Sequence, residues 1–505
     1  MFTRKKQYDA IIVGSGATGG WAAKTLAESG LEVLVLEAGP SHRAMNARYF
    51  YERVRRKAGF RVEKDKHELA RRPIQAQCYA WQYQPRAFAD DVNHPYATHD
   101  GKPFVWIRAH QEGGRLALPV HGLQFYRLSD RDFTAASRDG VGIDWPIRYA
   151  DLAPYYDRVE RFMNLTGNAD DLPHLPNPVP GARVALNFGE QRLKSSIAKR
   201  WPDRTLIARR TGPAPIPILA ARKTGRATIR TNAIAREITF DPKTNRASGV
   251  TWLEGGRERS ATGRVVIVAA SAIESARLLL NSKSPRFPDG LANSSGALGR
   301  YLMDHARLTG FRLRMPLKDS EVSPRMSWTY VPQFRNLGAP SPQFMRGYAY
   351  YVFMQGHQCS MSAYAEMLPR ATNRVTIDPV LTDAWGIPAP RIECAHSDNE
   401  HALLRDADVE CRDMMNEAGF EFEVAEPTLE APGLAVHECG TARMGSDPTT
   451  SVLNSDNQAW DVKNLFVVDA ACFPSQGVQN PTLTMMALAL RASERLVESM
   501  KRRDL

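Results

Sequence analysis

The chain has 505 residues, of which 43% are hydrophobic, and its formal net charge at pH 7 is +11. This length allows two or more domains, and no apolar run reaches the roughly 18–20 residues that a membrane-spanning helix needs. The six cysteines and twelve histidines are widely scattered, which excludes clustered disulfide or metal motifs, so we predict no metal site. The lack of a long apolar run predicts no integral membrane segment, and the lack of a recognised nucleic-acid-binding module predicts no nucleic-acid partner.

The N-terminus carries the pattern of a dinucleotide-binding βαβ unit. Residues 10–13 form a short apolar run typical of a buried parallel strand, and the sequence GxGxxG follows directly from Gly14. Residues 21–29 then predict a helix, and residues 31–36 predict a second strand that ends at Glu37. This order favours a true dinucleotide site over a glycine-rich turn in an unrelated α/β fold.

Each glycine has a physical role in such a unit. Gly14 permits the tight turn, Gly16 lets the backbone approach a pyrophosphate, and Gly19 lets the helix pack closely on the sheet. The N-terminus of the helix would then face the phosphates with free N–H groups. Glu37 follows about 20 residues after the first glycine, where an acidic side chain is expected to bind a ribose hydroxyl.

Residues 41–72 form a strongly basic stretch, with eleven lysine or arginine residues against four acidic ones. Aromatic residues are interleaved with the charges, which predicts a partly amphipathic helical insertion. Two interpretations remain open: a solvated helical face, or a docking surface for a partner subunit or an acidic redox protein.

Further elements are predicted in the middle of the chain. Asp151 is expected to cap a helix that begins near Pro154. Residues 228–238 and 264–270 predict strands, and a helix opens at Ser271.

The pattern changes between residues 308 and 430. Alternating, aromatic-rich segments predict an antiparallel sheet, and residues 401–418 are the clearest of the helices expected to cover it. These aromatic residues suit stacking on sugar rings, but they would equally pack a core.

The C-terminal quarter carries the candidate catalytic motifs. A strand at residues 465–468 precedes Asp469, and Pro481 is suited to be the first residue of a helix that continues over 482–498. The same quarter contains the segments His437-Glu438-Cys439-Gly440-Thr441 and Gln479-Asn480-Pro481-Thr482.

Together these motifs resemble those of the glucose–methanol–choline (GMC) oxidoreductases, flavoenzymes that oxidise alcohols. The resemblance is strong at the two ends of the chain and patchy between them, and segments near residues 144–156 resemble bacterial glycoside 3-dehydrogenases and pyranose-oxidase-like members. The matching residues are Gly14-Ser15-Gly16-Ala17-Thr18-Gly19, His437-Glu438-Cys439-Gly440-Thr441 and Gln479-Asn480-Pro481-Thr482.

The resemblance implies an α/β fold: a Rossmann-like FAD-binding domain with a mostly parallel sheet, and a substrate domain built on an antiparallel sheet covered by helices. We expect the FAD-binding domain to comprise residues 1–165, 225–307 and 431–505, with a basic insertion at 41–95. Residues 166–224 would connect the domains, and residues 308–430 would form the substrate-binding domain.

The resemblance also implies FAD as the cofactor. A glycine pair at 113–114 suits a backbone that passes close to a planar ring. The residues expected to contact FAD are Gly14, Gly16, Ala17, Thr18, Gly19, Glu37, Ala38, Arg108, Gly113, Gly114, Ala235, Asp469, Ala470, Asn480 and Thr482.

By the same resemblance, His437 is the general base and Asn480 orients the substrate hydroxyl. His305, in the segment Gly299–His305, is interpreted as a structural histidine. Val120 stands where pyranose 2-oxidases carry a flavin-linked histidine, so we expect non-covalent FAD, although the neighbouring His121 keeps covalent attachment open.

The predicted reaction is oxidation of a secondary hydroxyl of a sugar or glycoside, with C3 of a pyranose as the expected position. The alternatives are a choline-type or aliphatic alcohol dehydrogenase or oxidase and, from another class, a flavin-binding partner subunit without activity. The electron acceptor, whether oxygen, a quinone or a cytochrome, is left open. The basic start has no apolar segment behind it, so we expect a cytoplasmic protein, or a periplasmic one exported with a signal-bearing partner subunit.

Overall fold

The computed structural model of the chain describes residues 7–47, 50, 66–118, 123–424 and 426–505. Within these ranges the strands form two seven-stranded sheets and one three-stranded sheet. Most of the basic stretch lies outside the described residues, as do Val120 and His121, so the predictions made for them remain predictions.

The first sheet is mainly parallel and joins distant parts of the chain. Its strands are β1 (Gln7–Val13), β2 (Val33–Glu37), β5 (Ala227–Thr231), β6 (Ala233–Asp241), β7 (Arg246–Glu254), β8 (Arg257–Val268) and β17 (Leu465–Val467). Their central order is β5-β2-β1-β8, and β17 pairs with β8. The antiparallel pair β7 and β6 extends from the first half of β8.

The register of this sheet brings the predicted cofactor residues to one edge. Val13 of β1 pairs with Leu36 of β2 and with Val268 of β8. In parallel sheets ligands bind outside the carboxyl ends of the strands. The segments that follow β1, β2, β8 and β17 therefore meet at a single edge.

The first helix, Ala17–Glu28, begins four residues before the predicted start at residue 21. The helix thus includes Gly19 and Gly20, although glycine lowers helix propensity. Close packing overrides that preference, since a Cβ on Gly19 would lie 2.0 Å from the carbonyl oxygen of Gly14.

The second sheet is antiparallel, as predicted for the substrate domain. Its strands are β4 (Ile207–Ala208), β9 (Ala306–Arg314), β10 (Ser327–Val331), β11 (Tyr348–Gln355), β12 (Gln358–Ala365), β15 (Glu421–Val424) and β16 (Thr428–Leu429). Their order is β15-β9-β12-β11-β10-β4, and β16 pairs with β9.

The two faces of this sheet pack against different partners. On one face Tyr348, Tyr350 and Val352 of β11 share a core with the helices Phe188–Arg200 and Asp398–Glu417. On the other face the alternate residues of β11 pack with Tyr126 and Val478, which belong to the loops that approach the C-terminal motifs. The sheet therefore lies between covering helices and the candidate site.

The third sheet is small and consists of β3 (Ala97–Thr98), β13 (Arg374–Thr382) and β14 (Pro388–Glu393). Among the described residues, no helix is both long and apolar enough to span a bilayer. The described α-helices are Ala17–Glu28, Lys66–Arg71, Asp130–Phe133, Ala135–Asp139, Tyr149–Met163, Phe188–Arg200, Pro217–Lys223, Ala272–Asn281, Asp398–Glu417 and Thr482–Arg502.

Other predicted elements were also wrong in their bounds, among them the strand predicted at residues 264–270, which is the second half of β8. The strand predicted at residues 228–238 is broken at Asn232, which adopts a φ of 53° between β5 and β6; asparagine tolerates this left-handed conformation. The helix predicted to start near Pro154 begins at Tyr149. The Asp151 carboxylate accepts from the backbone N–H of Arg148 at 2.8 Å, so it stabilises the first turn from inside the helix.

Candidate active site

The glycines that follow β1 differ in the space around them. Gly14 has a φ of +98°, and a Cβ there would lie 2.3 Å from the carbonyl oxygen of Ala269. Gly16, in contrast, has no atom of the described residues within 4 Å of the position of a Cβ. Gly14 is thus required by the protein itself, whereas Gly16 leaves open space beside the backbone, as a bound pyrophosphate requires.

The helix that starts beside this space leaves donors for an anion. Gly16 precedes the helix and makes no capping hydrogen bond with a side chain. Ala17 and Thr18 are the first two helical residues, where backbone N–H groups have no partner within the helix. The arrangement suits a phosphate group at the positive end of the helix dipole.

Glu37 forms the second part of the dinucleotide site. Its carboxylate accepts from the N–H of Gly39 at 2.8 Å and from both the N–H and the hydroxyl of Ser15. The Ser15 hydroxyl in turn accepts from the N–H of Gly113 at 3.0 Å. Burial raises the pKa of Glu37 despite these donors. Sequence reasoning missed Ser15, whose signal was a small hydroxyl residue between the first two motif glycines.

The glycine pair lies directly against the first motif. Gly113 and Gly114 have φ values of +89° and +58°, and a Cβ on Gly114 would lie 3.0 Å from the Cα of Gly16. The pair therefore allows one predicted cofactor loop to pack on the other. Ala38 directly follows Glu37. Ala235 lies in β6, and Asn232, the residue before this strand, donates its N–H to the carbonyl of Gly39 at 2.9 Å.

Arg108 lies buried among protein partners. Its guanidinium donates to the carbonyl of His94 at 2.7 Å and lies 3.5 Å from the carboxylate of Asp91. Its Nε has no hydrogen-bond partner among the described residues. The contact with FAD predicted for Arg108 stays a prediction.

Asp469, at the end of the C-terminal strand, binds protein groups through its side chain. The carboxylate accepts from the N–H groups of Ser271 and Ala471 at 3.0 and 2.9 Å and from the Ser275 hydroxyl. Burial raises its pKa to about 6. A contact of Asp469 or Ala470 with a cofactor would therefore be made through the backbone.

His437 and Asn480, separated by 43 residues, are brought together by the fold. The side-chain Nδ2 of Asn480 lies 2.9 Å from Nε2 of His437. The segment of His437 is held beside the cofactor residues, because the N–H of Gly440 donates to the carbonyl of Ala470 at 2.9 Å. The predicted catalytic pair and the predicted cofactor strand thus share one site.

Tyr351 of β11 fixes the Asn480 amide. Its hydroxyl donates to Oδ1 of Asn480, so the amide oxygen faces the tyrosine and the amide nitrogen faces His437. Sequence reasoning missed this contact, since Tyr351 lies in an aromatic-rich strand whose other tyrosines pack a core.

The backbone around His437 is anchored by buried side chains. Asp304 accepts from the N–H of His437 at 2.9 Å and from the N–H of Gly433 at 2.7 Å. Gln476 donates to the carbonyl of His437 at 2.7 Å. These bonds restrict the backbone of the predicted base to one position.

The His437 ring also contacts a second histidine. Its Nδ1 lies 2.9 Å from Nδ1 of His305, and Nε2 of His305 lies 2.9 Å from the carbonyl oxygen of Gly477. Burial lowers the pKa of His437 well below that of a free histidine and lowers the pKa of His305 to about 4. Both rings are therefore neutral at neutral pH, and His437 is able to accept a proton.

The surroundings of the pair combine aromatic rings with charged groups. Tyr364 lies between the ring of His437, at 5.8 Å between centroids, and the guanidinium of Arg307, at 5.2 Å. Arg307 pairs with Glu430 at 2.8 Å.

The C-terminal helix starts next to Asn480. It spans Thr482–Arg502, and Pro481 precedes it without making a capping hydrogen bond. Thr482 thus lies in a first turn whose N–H groups remain available, so the positive end of the dipole favours negative charge on a ring bound there.

These observations fit a flavin dinucleotide. The open backbone at Gly16, the uncapped turn beginning at Ala17 and the carboxylate of Glu37 would hold the phosphates and the ribose. The uncapped turn at Thr482 lies beside the catalytic pair, where the flavin ring would supply a hydride acceptor. Among the described residues, no group of three or more His, Cys, Asp or Glu side chains is placed to hold a metal ion.

Residues 9–307 and residues 369–489 match the N-terminal and C-terminal parts of the family described as GMC oxidoreductase. The chain is 27% identical to 2-methyl-1,2-propanediol dehydrogenase of Mycolicibacterium austroafricanum, with 98% of this chain and 96% of that protein covered. It is 26% identical to the fructose dehydrogenase large subunit of Gluconobacter japonicus, with 98% of each covered. It is also 26% identical to C-glycoside 3-oxidase of Arthrobacter globiformis, with 97% and 95% covered.

The fold is also that of solved flavoenzymes. Formate oxidase of Aspergillus oryzae superposes with a TM-score of 0.67 at 15% identity, over 99% of this chain and 100% of that one. The chain belongs to the GMC oxidoreductase family and is an oxidoreductase for which that family implies FAD.

Proposed function

We propose that this GMC oxidoreductase uses FAD to oxidise a secondary hydroxyl of a sugar or glycoside, with C3 of a pyranose as the expected position. The observation that carries the proposal is the 2.9 Å contact between Nδ2 of Asn480 and Nε2 of His437, in a site shared with the cofactor segments. A similar reaction is named in the C-glycoside 3-oxidase relative.

The reaction removes a proton from the hydroxyl and a hydride from the carbon that bears it, leaving a carbonyl group. Bound FAD would take the hydride. Nε2 of His437 takes the hydroxyl proton, because burial keeps this ring neutral and its anchored backbone fixes its position.

Asn480 orients the same hydroxyl. Its amide nitrogen can donate to the hydroxyl oxygen and stabilise the negative charge that develops as the proton leaves. Tyr351 donates to the amide oxygen, and a flip of the amide would break this hydrogen bond. The tyrosine therefore keeps the donating nitrogen directed at the site.

The charges around the pair favour a neutral substrate over choline. Glu430 is paired with Arg307, Glu438 is paired with Arg115, and Asp304 accepts backbone N–H groups. Each of these carboxylates already has a partner, whereas a trimethylammonium substrate would need a carboxylate of its own. Arg307 and Glu430 can instead donate to and accept from sugar hydroxyls.

A second candidate is oxidation of an aliphatic diol, since 2-methyl-1,2-propanediol dehydrogenase covers nearly the whole chain. A partner subunit without activity is disfavoured, because His437 and Asn480 are both present and lie in contact. We further propose non-covalent FAD. The fructose dehydrogenase large subunit is by its name part of an assembly, which supports a partner subunit for this chain as well.

The experiment that tests this function is anaerobic flavin reduction followed by absorbance. The panel comprises O- and C-glycosides, free pyranoses, fructose, 2-methyl-1,2-propanediol and choline. We expect rapid bleaching by at least one glycoside or pyranose and none by choline. Bleaching by the diol alone would replace the sugar proposal with the aliphatic one.

A further inference from the structure

His305 lies immediately before β9 and is almost completely buried, with 2% of its surface exposed. Its two ring nitrogens contact different groups: Nε2 faces the carbonyl oxygen of Gly477 at 2.9 Å, and Nδ1 faces Nδ1 of His437 at 2.9 Å. These two contacts together determine where the protons of both rings lie.

A carbonyl oxygen can only accept, so Nε2 of His305 carries a proton and donates it to Gly477. A neutral imidazole has one N–H, which leaves Nδ1 of His305 as an acceptor. Two ring nitrogens at 2.9 Å need one proton between them, and it must come from Nδ1 of His437. His437 then has no proton on Nε2.

The opposite end of the chain of hydrogen bonds agrees with this assignment. The hydroxyl of Tyr351 donates to Oδ1 of Asn480. The remaining amide nitrogen is a donor directed at Nε2 of His437. Nε2 of His437 is therefore the acceptor in this contact as well.

We propose that His305 is a positioning residue that holds His437 in the tautomer with Nε2 free to accept the substrate proton. The proposal rests on the proposed function of His437 as the base, and it assigns to His305 a role beyond the structural one that the sequence suggested.

The contact becomes stronger as the reaction proceeds. When Nε2 of His437 takes the proton, the ring becomes a cation and its Nδ1–H bond to His305 becomes charge-assisted. The unprotonated Nδ1 of His305, whose Nε2–H is bound to the Gly477 carbonyl, is the negative end of the imidazole dipole and faces the new charge. An interaction that is stronger in the transition state than in the ground state accelerates the reaction.

The test uses two variants of nearly equal shape, His305→Gln and His305→Met, as holoenzymes. Glutamine supplies an acceptor for His437 and a donor for Gly477, whereas methionine fills the same space without a donor. Flavin reduction is measured anaerobically by stopped flow at saturating substrate, and flavin content is checked by absorbance. The same two changes are then made in a His437→Ala background.

We expect the methionine variant to reduce its flavin about ten- to a hundredfold more slowly than the parent, the usual effect of losing a hydrogen bond to a charged group. The glutamine variant should recover most of that loss. In the His437→Ala background the two variants should have equal rates, because His305 acts through His437. If the methionine variant does not retain flavin, His305→Ala, which leaves room for water at Gly477, takes its place.

Equal rates for the glutamine and methionine variants with His437 present would overturn the proposal. So would the same difference between them in the absence of His437, since it would mark a purely structural effect. Either result would leave the proposed function of His437 intact. The proposed function itself would fail if His437→Ala left the rate of flavin reduction unchanged.

Discussion

The amide nitrogen of Asn480 lies 2.9 Å from Nε2 of His437, across 43 residues of sequence. The contact places a hydrogen-bond donor and a proton acceptor where one hydroxyl group can bind to both. It exists only because the C-terminal helix and the segment after Gly433 are held against the same strand ends.

Tyr351 should matter for the rate, and its neighbour should not. We expect Tyr351→Phe to slow flavin reduction about five- to tenfold, the usual worth of one hydrogen bond, because Asn480 loses its fixed orientation. Tyr350→Phe is the matched control. In the parent the hydroxyl of Tyr350 donates to the carbonyl of Ala407 at 2.7 Å, on the opposite face of β11 from Tyr351.

The control should lower the free energy of unfolding by about 1 kcal/mol and leave the rate unchanged. Stopped-flow reduction and thermal unfolding of both variants check the prediction. Equal rates in Tyr351→Phe and Tyr350→Phe would show that the contact with Asn480 has no part in the reaction.

The two motif glycines should fail for different reasons when replaced. In Gly16→Ala the new methyl group meets no atom within 4 Å in the described part of the chain, so the apoprotein should keep its melting temperature but bind FAD weakly. In Gly19→Ala the methyl group would lie 2.0 Å from the carbonyl of Gly14, so the apoprotein itself should be destabilised. Melting temperatures without flavin and FAD titrations separate the two effects. Full FAD affinity in Gly16→Ala would remove the pyrophosphate from this position.

The pH dependence of the reaction should reflect the neutral state of His437. Burial lowers the pKa of this ring below the ordinary value, and a base acts only when it is unprotonated. The rate of flavin reduction should therefore be constant above about pH 6.5, the value of a free histidine, and fall only at lower pH. A rate that still rises above pH 7 would contradict the assignment, and His437→Ala should lose the acidic decrease.

The mode of FAD attachment is tested by acid. Since Val120 stands where some relatives carry a linking histidine, precipitation with acid should leave the yellow flavin in the supernatant. Flavin that stays with the precipitated protein would instead point to covalent attachment, with His121 as the residue to examine.

Much of the site could be predicted from the sequence because its motifs follow directly after strands. Gly14, Glu37 and Asp469 each end a short apolar run, and the carboxyl ends of neighbouring parallel strands meet. The antiparallel sheet was likewise indicated by alternation in β11.

The missed contacts have physical reasons. Tyr350 and Tyr351 look alike in sequence, and only the pairing of the sheet decides which tyrosine faces the helices and which faces Asn480. The contact of His305 with His437 spans 132 residues, and no local pattern reports it. The break at Asn232 was open to prediction, since asparagine accepts the left-handed conformation.

Whether His437 takes the substrate proton is decided by the rate of flavin reduction in its alanine variant. The His437→Ala holoenzyme, with its FAD content confirmed by absorbance, is mixed anaerobically in a stopped-flow instrument with the sugar or glycoside that bleaches the parent fastest. FAD should be retained, because the segments of Gly16 and Glu37 are untouched. The rate of flavin reduction should fall by about two to four powers of ten, the usual worth of general base catalysis. A rate within a few-fold of the parent would contradict the account.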